Sequence, residues 1–159
     1  MKKIRFFAGM ILLTFAVNAY GQTGKADKVC GLYYAADPVN GEGSQILIYK
    51  NKSGKYEGRI IWMQIPNKPN GEPRRDAKCP DADKRNQPIV GLVIVKNFVY
   101  NENDDQWQNG TIYDPASGNS YRGYMKLEAD GKTLKVRGYL GFSLLGKTVI
   151  WTRETEERK

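Results

Sequence analysis

Apolar and polar residues alternate along most of the chain with a period of two. In KTLKVRGYLGF (132–142), Leu134, Val136, Gly138, Leu140 and Phe142 fall on one side; Lys135, Arg137, Tyr139 and Gly141 fall on the other. Such alternation marks a half-buried strand. NSYRGYMKL (119–127) repeats it with Tyr121, Gly123, Met125 and Leu127. SQILIYK (44–50) and KYEGRIIWMQI (55–65) are two further β-rich runs, and Asn51-Lys52-Ser53-Gly54 between them predicts a hairpin turn. KTVIWTR (147–153) predicts a last strand, with others at 30–37 and 107–113. Gly91 to Phe98 is the one later segment open to a short helix, and its β-branched content favours a strand.

Glycines recur inside these runs, at 58, 110, 123, 138 and 141. Glycine within a strand marks bulges and bends, including those that let a sheet close. Residues 66–88 break the pattern: they are rich in proline and charge and predict one long surface loop. The pattern as a whole predicts an all-β fold of about seven or eight strands, an antiparallel up-and-down barrel or a sandwich. A closed barrel removes the exposed edges that a flat sheet would leave.

The N-terminus is organised differently. Lys2, Lys3 and Arg5 precede a short apolar run, Phe6 to Val17, and small residues follow at Ala19 and Gly21. This is the pattern of a cleaved secretory leader, and the run is too short for a membrane span. The expected organisation is a signal peptide over 1–21, cut after Ala19 or Gly21, and a single domain over 22–159. The expected location is the periplasm or the cell exterior, and no membrane span is expected in the mature chain.

Charge and cysteine content narrow the picture. The chain has 25 Lys and Arg against 17 Asp and Glu; without Lys2, Lys3 and Arg5 the balance is +5. Nucleic acid is set aside as a partner, because export opposes it and no recognition helix or aromatic RNA-binding motif is present. The two cysteines, Cys30 and Cys79, are expected to pair as a disulfide, since an exported chain meets an oxidising compartment.

The densest cluster of reactive residue types is GTIYDPASGNSYRGYMKL (110–127). Pro115 suits the second position of a turn, Asp114 accepts from backbone two residues on, and Gly118 tolerates positive φ. Asp114 and Ser117 therefore read as turn residues rather than catalytic ones. The chain has no histidine, which removes Ser-His-Asp and Cys-His chemistry and His-ligated zinc. The acidic groups at 76–83 and 101–105 lack calcium-loop spacing. No metal and no cofactor is expected, and an enzyme working through a carboxylate pair ranks last, because nothing picks out such a pair.

Several stretches carry a family resemblance. They are Gly91-Leu92; Trp107 through Gly110 to Pro115, Gly118 and Tyr121; Leu134 to Gly141; Leu145-Gly146-Lys147-Thr148; and Trp151-Thr152-Arg153. Over about residues 30–153 the chain resembles the secreted bacterial family filed as domain of unknown function 2147. The resemblance implies a lipocalin-like barrel of about eight strands, and no established activity. The family tends to open with Gly-x-Trp, where this chain has Gly31-Leu32-Tyr33. The resemblance further implies barrel closure by Tyr33 packed near Arg153 and Trp151 of the last strand, with a stabilising role.

Two functional readings follow. The first is a binding protein for a small apolar or amphipathic molecule, because an eight-stranded barrel is just wide enough to hold one. Its ligand candidates are Trp62, Tyr113, Tyr121, Arg137 and Tyr139, weighed against simple core filling. Arg137 lies opposite the more apolar face of its strand, which favours an outward position. The second reading is an envelope protein–protein interaction module with a filled barrel, its 66–88 loop tethered by Cys79 and presenting the contact surface. An open lumen separates the two.

Overall fold

Residues 24–140 and 146–159 are described by a computed structural model. The leader, its two cleavage positions and Gly141, Phe142 and Leu145 lie outside the described residues. A short 3-10 helix, Lys25–Val29, is followed by β1 (Gly31–Ala36), β2 (Gly43–Lys50), β3 (Tyr56–Met63), β4 (Val93–Asn101), β5 (Gln106–Asp114), β6 (Asn119–Leu127), β7 (Thr133–Tyr139) and β8 (Lys147–Glu154). Each strand pairs with its chain neighbour and β8 returns to β1, so the sheet closes as an eight-stranded antiparallel barrel. Tyr33 stands opposite Arg153 and Ala35 opposite Trp151 in the closing register. Of the candidate helix at 91–98, residues 93–98 are strand, the start of β4, and Gly91 and Leu92 precede it.

Closure needs bends, and several irregularities supply them. The β2–β3 register shifts between Gln45 and Ile46. Asn97 in β4 and Asn109 in β5 have positive φ, 61° and 63°. The β5–β6 register also shifts between Trp107 and Gly110. Gly110 is required where it stands, because an added Cβ would fall inside the Phe98 ring.

The two ends of the barrel differ. At one end Tyr33, Tyr56, Phe98, Trp107, Met125 and Leu134 fill the interior completely. The 3-10 helix seals that end. Its Ala26 carbonyl accepts from Trp107 Nε1 at 3.0 Å, and its Val29 carbonyl accepts from the Tyr33 hydroxyl at 2.9 Å. Arg153 completes the seal. Its guanidinium donates to the carbonyls of Gly131 (2.8 Å), Cys30 (2.8 Å) and Lys28 (2.5 Å) and to the Tyr33 oxygen, and it lies 4.8 Å from the Tyr33 ring centre.

The cysteines are both free thiols, which corrects the expected disulfide. Cys30 enters β1 at the sealed end, beneath Arg153. Cys79 belongs to the long loop at the opposite end, where the neighbouring Lys78 packs on Gly118 of the β5–β6 turn. The height of the barrel separates them.

Three buried tyrosines give the fold an alkaline limit. Burial pushes the Tyr33 hydroxyl up to about 12. Burial, then the hydrogen bond to Asp27, raises Tyr56 well above its ordinary value, and burial, then the bond to Asp76, does the same for Tyr113. A folded-state pKa above the unfolded value favours the fold fully below the unfolded pKa and is lost as pH rises through the folded one. Stability should therefore hold to about pH 10 and then fall toward pH 12, by about 1.4 kcal/mol per pH unit for each tyrosine. Denaturant midpoints across that range check this, and a slope unchanged in Tyr56→Phe would contradict it.

Candidate functional site, an open lumen above the sealed end

The other half of the barrel is hollow. A cavity of about 660 Å³ opens between the β1–β2, β3–β4 and β5–β6 connections. Inward-facing side chains line it: Ala35, Ile46, Ile60, Ile94, Ile112, Val136, Val149 and Trp151 form an apolar wall. These residues follow the period-two pattern, since residues i and i+2 share a face. Trp151 is 5% exposed and borders the cavity near the sealed half, opposite Ala35 across the β1–β8 seam.

Polar groups gather at the mouth. Arg74 of the long loop meets Glu42 in a two-pronged ion pair, 2.6 and 3.3 Å. That pair pins the 66–88 loop against the β1–β2 connection. A second pin holds the loop to β5: the Tyr113 hydroxyl lies 2.8 Å from both carboxylate oxygens of the buried Asp76. The loop is thus tethered by Arg74 and Asp76, not through a Cys79 bridge. Asp37 and Asp114 also border the mouth, and both carboxylates accept from backbone N–H groups of their own turns. Asp114 further accepts from Ser117 Oγ at 2.6 Å, and Gly118 takes a φ of 77° with its N–H on the Asp114 carbonyl. Lys147 is the rim cation that has no ion pair among the described residues.

The ligand candidates separate. Tyr121 lines the lumen and Tyr113 reaches its rim. Tyr113 is one residue out of phase with the inward Ile112, so its ring packs outward under the long loop. Trp62 lies on the outer wall, because the irregularity between Gln45 and Ile46 changes the phase of β3 and turns Met63 inward in its place. There Trp62 Nε1 donates to the Lys159 carbonyl at 3.1 Å and Arg158 stacks on its ring at 5.4 Å. Arg137 and Tyr139 are also on the outer face, where Arg137 donates to Thr148 Oγ1 at 3.1 Å. Sequence reasoning missed the Glu42–Arg74 pair, whose members lie 32 residues apart with no local signal. It also passed over the isoleucines, although Ile46 and Ile60 sit in phase with their strands.

A half-filled, half-open barrel closed by Arg153 now has counterparts to set beside it. Residues 31–153 match the family described as an uncharacterized protein conserved in bacteria, DUF2147. The chain belongs to this family. Protein HP1028 from the human pathogen Helicobacter pylori, described as belonging to the lipocalin family, has a similar structure, with a TM-score of 0.68 at 20% identity over 80% of this chain and 83% of that one. That likeness is one of fold. No curated protein matches the chain. The DUF2147 barrel is therefore lipocalin-like, with the match ending at Arg153, the residue that seals its floor.

Proposed function

We propose that this DUF2147 protein is exported and carries a small apolar or amphipathic molecule in its lumen, as a binding protein rather than an enzyme. The observation that supports the reading is the cavity itself: about 660 Å³, apolar on its walls and polar only at its mouth. Ligand pockets combine that size range with a mostly apolar lining and a few placed polar groups. The leader pattern at Lys2 to Gly21 supports export. A barrel serving only as an interaction module has no need of an open lumen, and burial of a ligand against isoleucines and Trp151 supplies the affinity.

Trp151 makes the proposal measurable. It borders the lumen, whereas Trp62 is on the outer wall and Trp107 is buried at the sealed end. Titration with a fatty-acid chain-length series should shift Trp151 emission, and the response should vanish in Trp151→Phe but persist in Trp62→Phe. Native mass spectrometry of the exported protein, before and after organic extraction, should show a removable mass. A bare protein with no spectral response to any chain length would point instead to the interaction module.

A further inference from the structure

The outer wall of the barrel is electrically one-sided. Among the residues of β4, β6 and β7 there is no Asp or Glu; β5 has only Asp114, which is engaged in its turn, and β8 only Glu154, which is paired with Arg158. The outward positions of β6 and β7 read Arg122, Tyr124, Lys126 and Lys135, Arg137, Tyr139. The register sets them crosswise: Arg122 opposite Tyr139, Tyr124 opposite Arg137, and Lys126 directly opposite Lys135. Lys96 of β4 extends the face, its ammonium 5.7 Å from the Tyr113 ring centre.

This arrangement has a stability cost. Like charges directly opposite one another in a sheet repel. Glu128 relieves the Lys126–Lys135 pair from one side, 3.1 Å from Lys135. Among the described residues Arg122 and Lys126 are in no ion pair, with Asp105 the acidic group near enough to act on Lys126, and the hydroxyls of Tyr124 and Tyr139 have no internal partner. Acidic residues elsewhere in the chain sit mostly in turns, so the basic face is not simply a sample of the composition.

Apolar groups flank the same face. Ile150, opposite Lys135 on β8, is 51% exposed, and Leu140, just beyond β7, is 57% exposed. A soluble polyanion would use the cations and leave these side chains in water. A bilayer surface uses all three kinds of group: cations on lipid phosphates, tyrosines at the headgroup level, aliphatic tips at the acyl boundary. We propose that the outer face of β6–β8 docks the barrel on an anionic phospholipid surface. This inference stands on the outer wall alone and is independent of what the lumen holds.

The test is co-sedimentation of the full mature chain with phosphatidylcholine vesicles, with and without phosphatidylglycerol. Binding should require phosphatidylglycerol and weaken at high salt. Removing two contacting cations at about 1 kcal/mol each, in Arg122→Gln/Lys126→Gln, should weaken binding about thirtyfold. Lys52→Gln/Lys55→Gln removes the same charge from the exposed β2–β3 turn and should change it little. Ile150→Ser should weaken vesicle binding several-fold while leaving any binding to heparin or duplex DNA unchanged. All the substituted residues are exposed, and an unchanged thermal midpoint would verify folding. No binding at low salt, equal binding to pure phosphatidylcholine, or equal losses in the two double variants would overturn the assignment. Tighter binding to heparin or DNA, with vesicles insensitive to Ile150→Ser, would reassign the face to a soluble polyanion.

Discussion

Arg153→Leu should lower the unfolding free energy by about 3 kcal/mol or more, and the melting temperature by about 10 °C on the scaling for a domain of this size. The substitution keeps aliphatic bulk but strands the carbonyls of Lys28, Cys30 and Gly131, which share one guanidinium. It also removes the cation from the Tyr33 ring. Hydrogen bonds from a charged donor are worth about 1.5–3 kcal/mol each, but water reaches the Lys28 side of the group, so the full sum is not expected. Tyr33→Phe is the informative partner. It removes the hydroxyl and leaves the ring and all three carbonyl bonds, and should cost about 1 kcal/mol. Differential scanning calorimetry of both variants checks the ranking; a midpoint for Arg153→Leu within about 2 °C of the parent would show that the seal does not hold the barrel shut.

Val149→Phe should abolish ligand uptake, with a loss of tenfold or more, and leave the melting temperature nearly unchanged. Val149 is half-buried on β8 and lines the lumen beside Val136. A benzyl group there projects into open volume instead of into packed side chains, so the overpacking cost of about 1–3 kcal/mol seen in filled cores is avoided. The same substitution in the sealed half, at Leu134, would meet a packed interior and destabilise the fold. Lumen occupancy followed by Trp151 emission separates these cases. Undiminished uptake by Val149→Phe would place the ligand somewhere other than the lumen.

Much of the barrel is legible in the sequence because strand alternation is local. The outward position of Arg137 and the inward positions of Leu134 and Val136 follow from counting by twos along one segment. Trp62 shows where counting fails. A bulge adds one residue and reverses the phase of everything beyond it, and the pairing that creates it lies on another strand. Tyr113 follows the same logic after the positive φ at Asn109. The disulfide expectation failed for a related reason: cysteine count and compartment say nothing about which end of a barrel each cysteine reaches. The seal was legible as the Tyr33–Arg153 pair only through family resemblance; two of the three backbone carbonyls that Arg153 collects, those of Lys28 and Cys30, belong to a segment more than a hundred residues away.

The β1–β8 seam also fixes the order of events in folding. Seven of the eight strand pairings join chain neighbours, and all of these but β3–β4, which the long loop separates, can form as hairpins while the polypeptide is still emerging. The eighth joins the first strand to the last, and loop closure over that separation is the slow, entropically expensive step. Until residues 147–154 are available, β1 and β7 present unpaired edges, the template on which strands of other chains add. A chain threaded through a membrane from its N-terminus would hold those edges open for the whole transit. Its vulnerable interval ends only when Arg153 arrives.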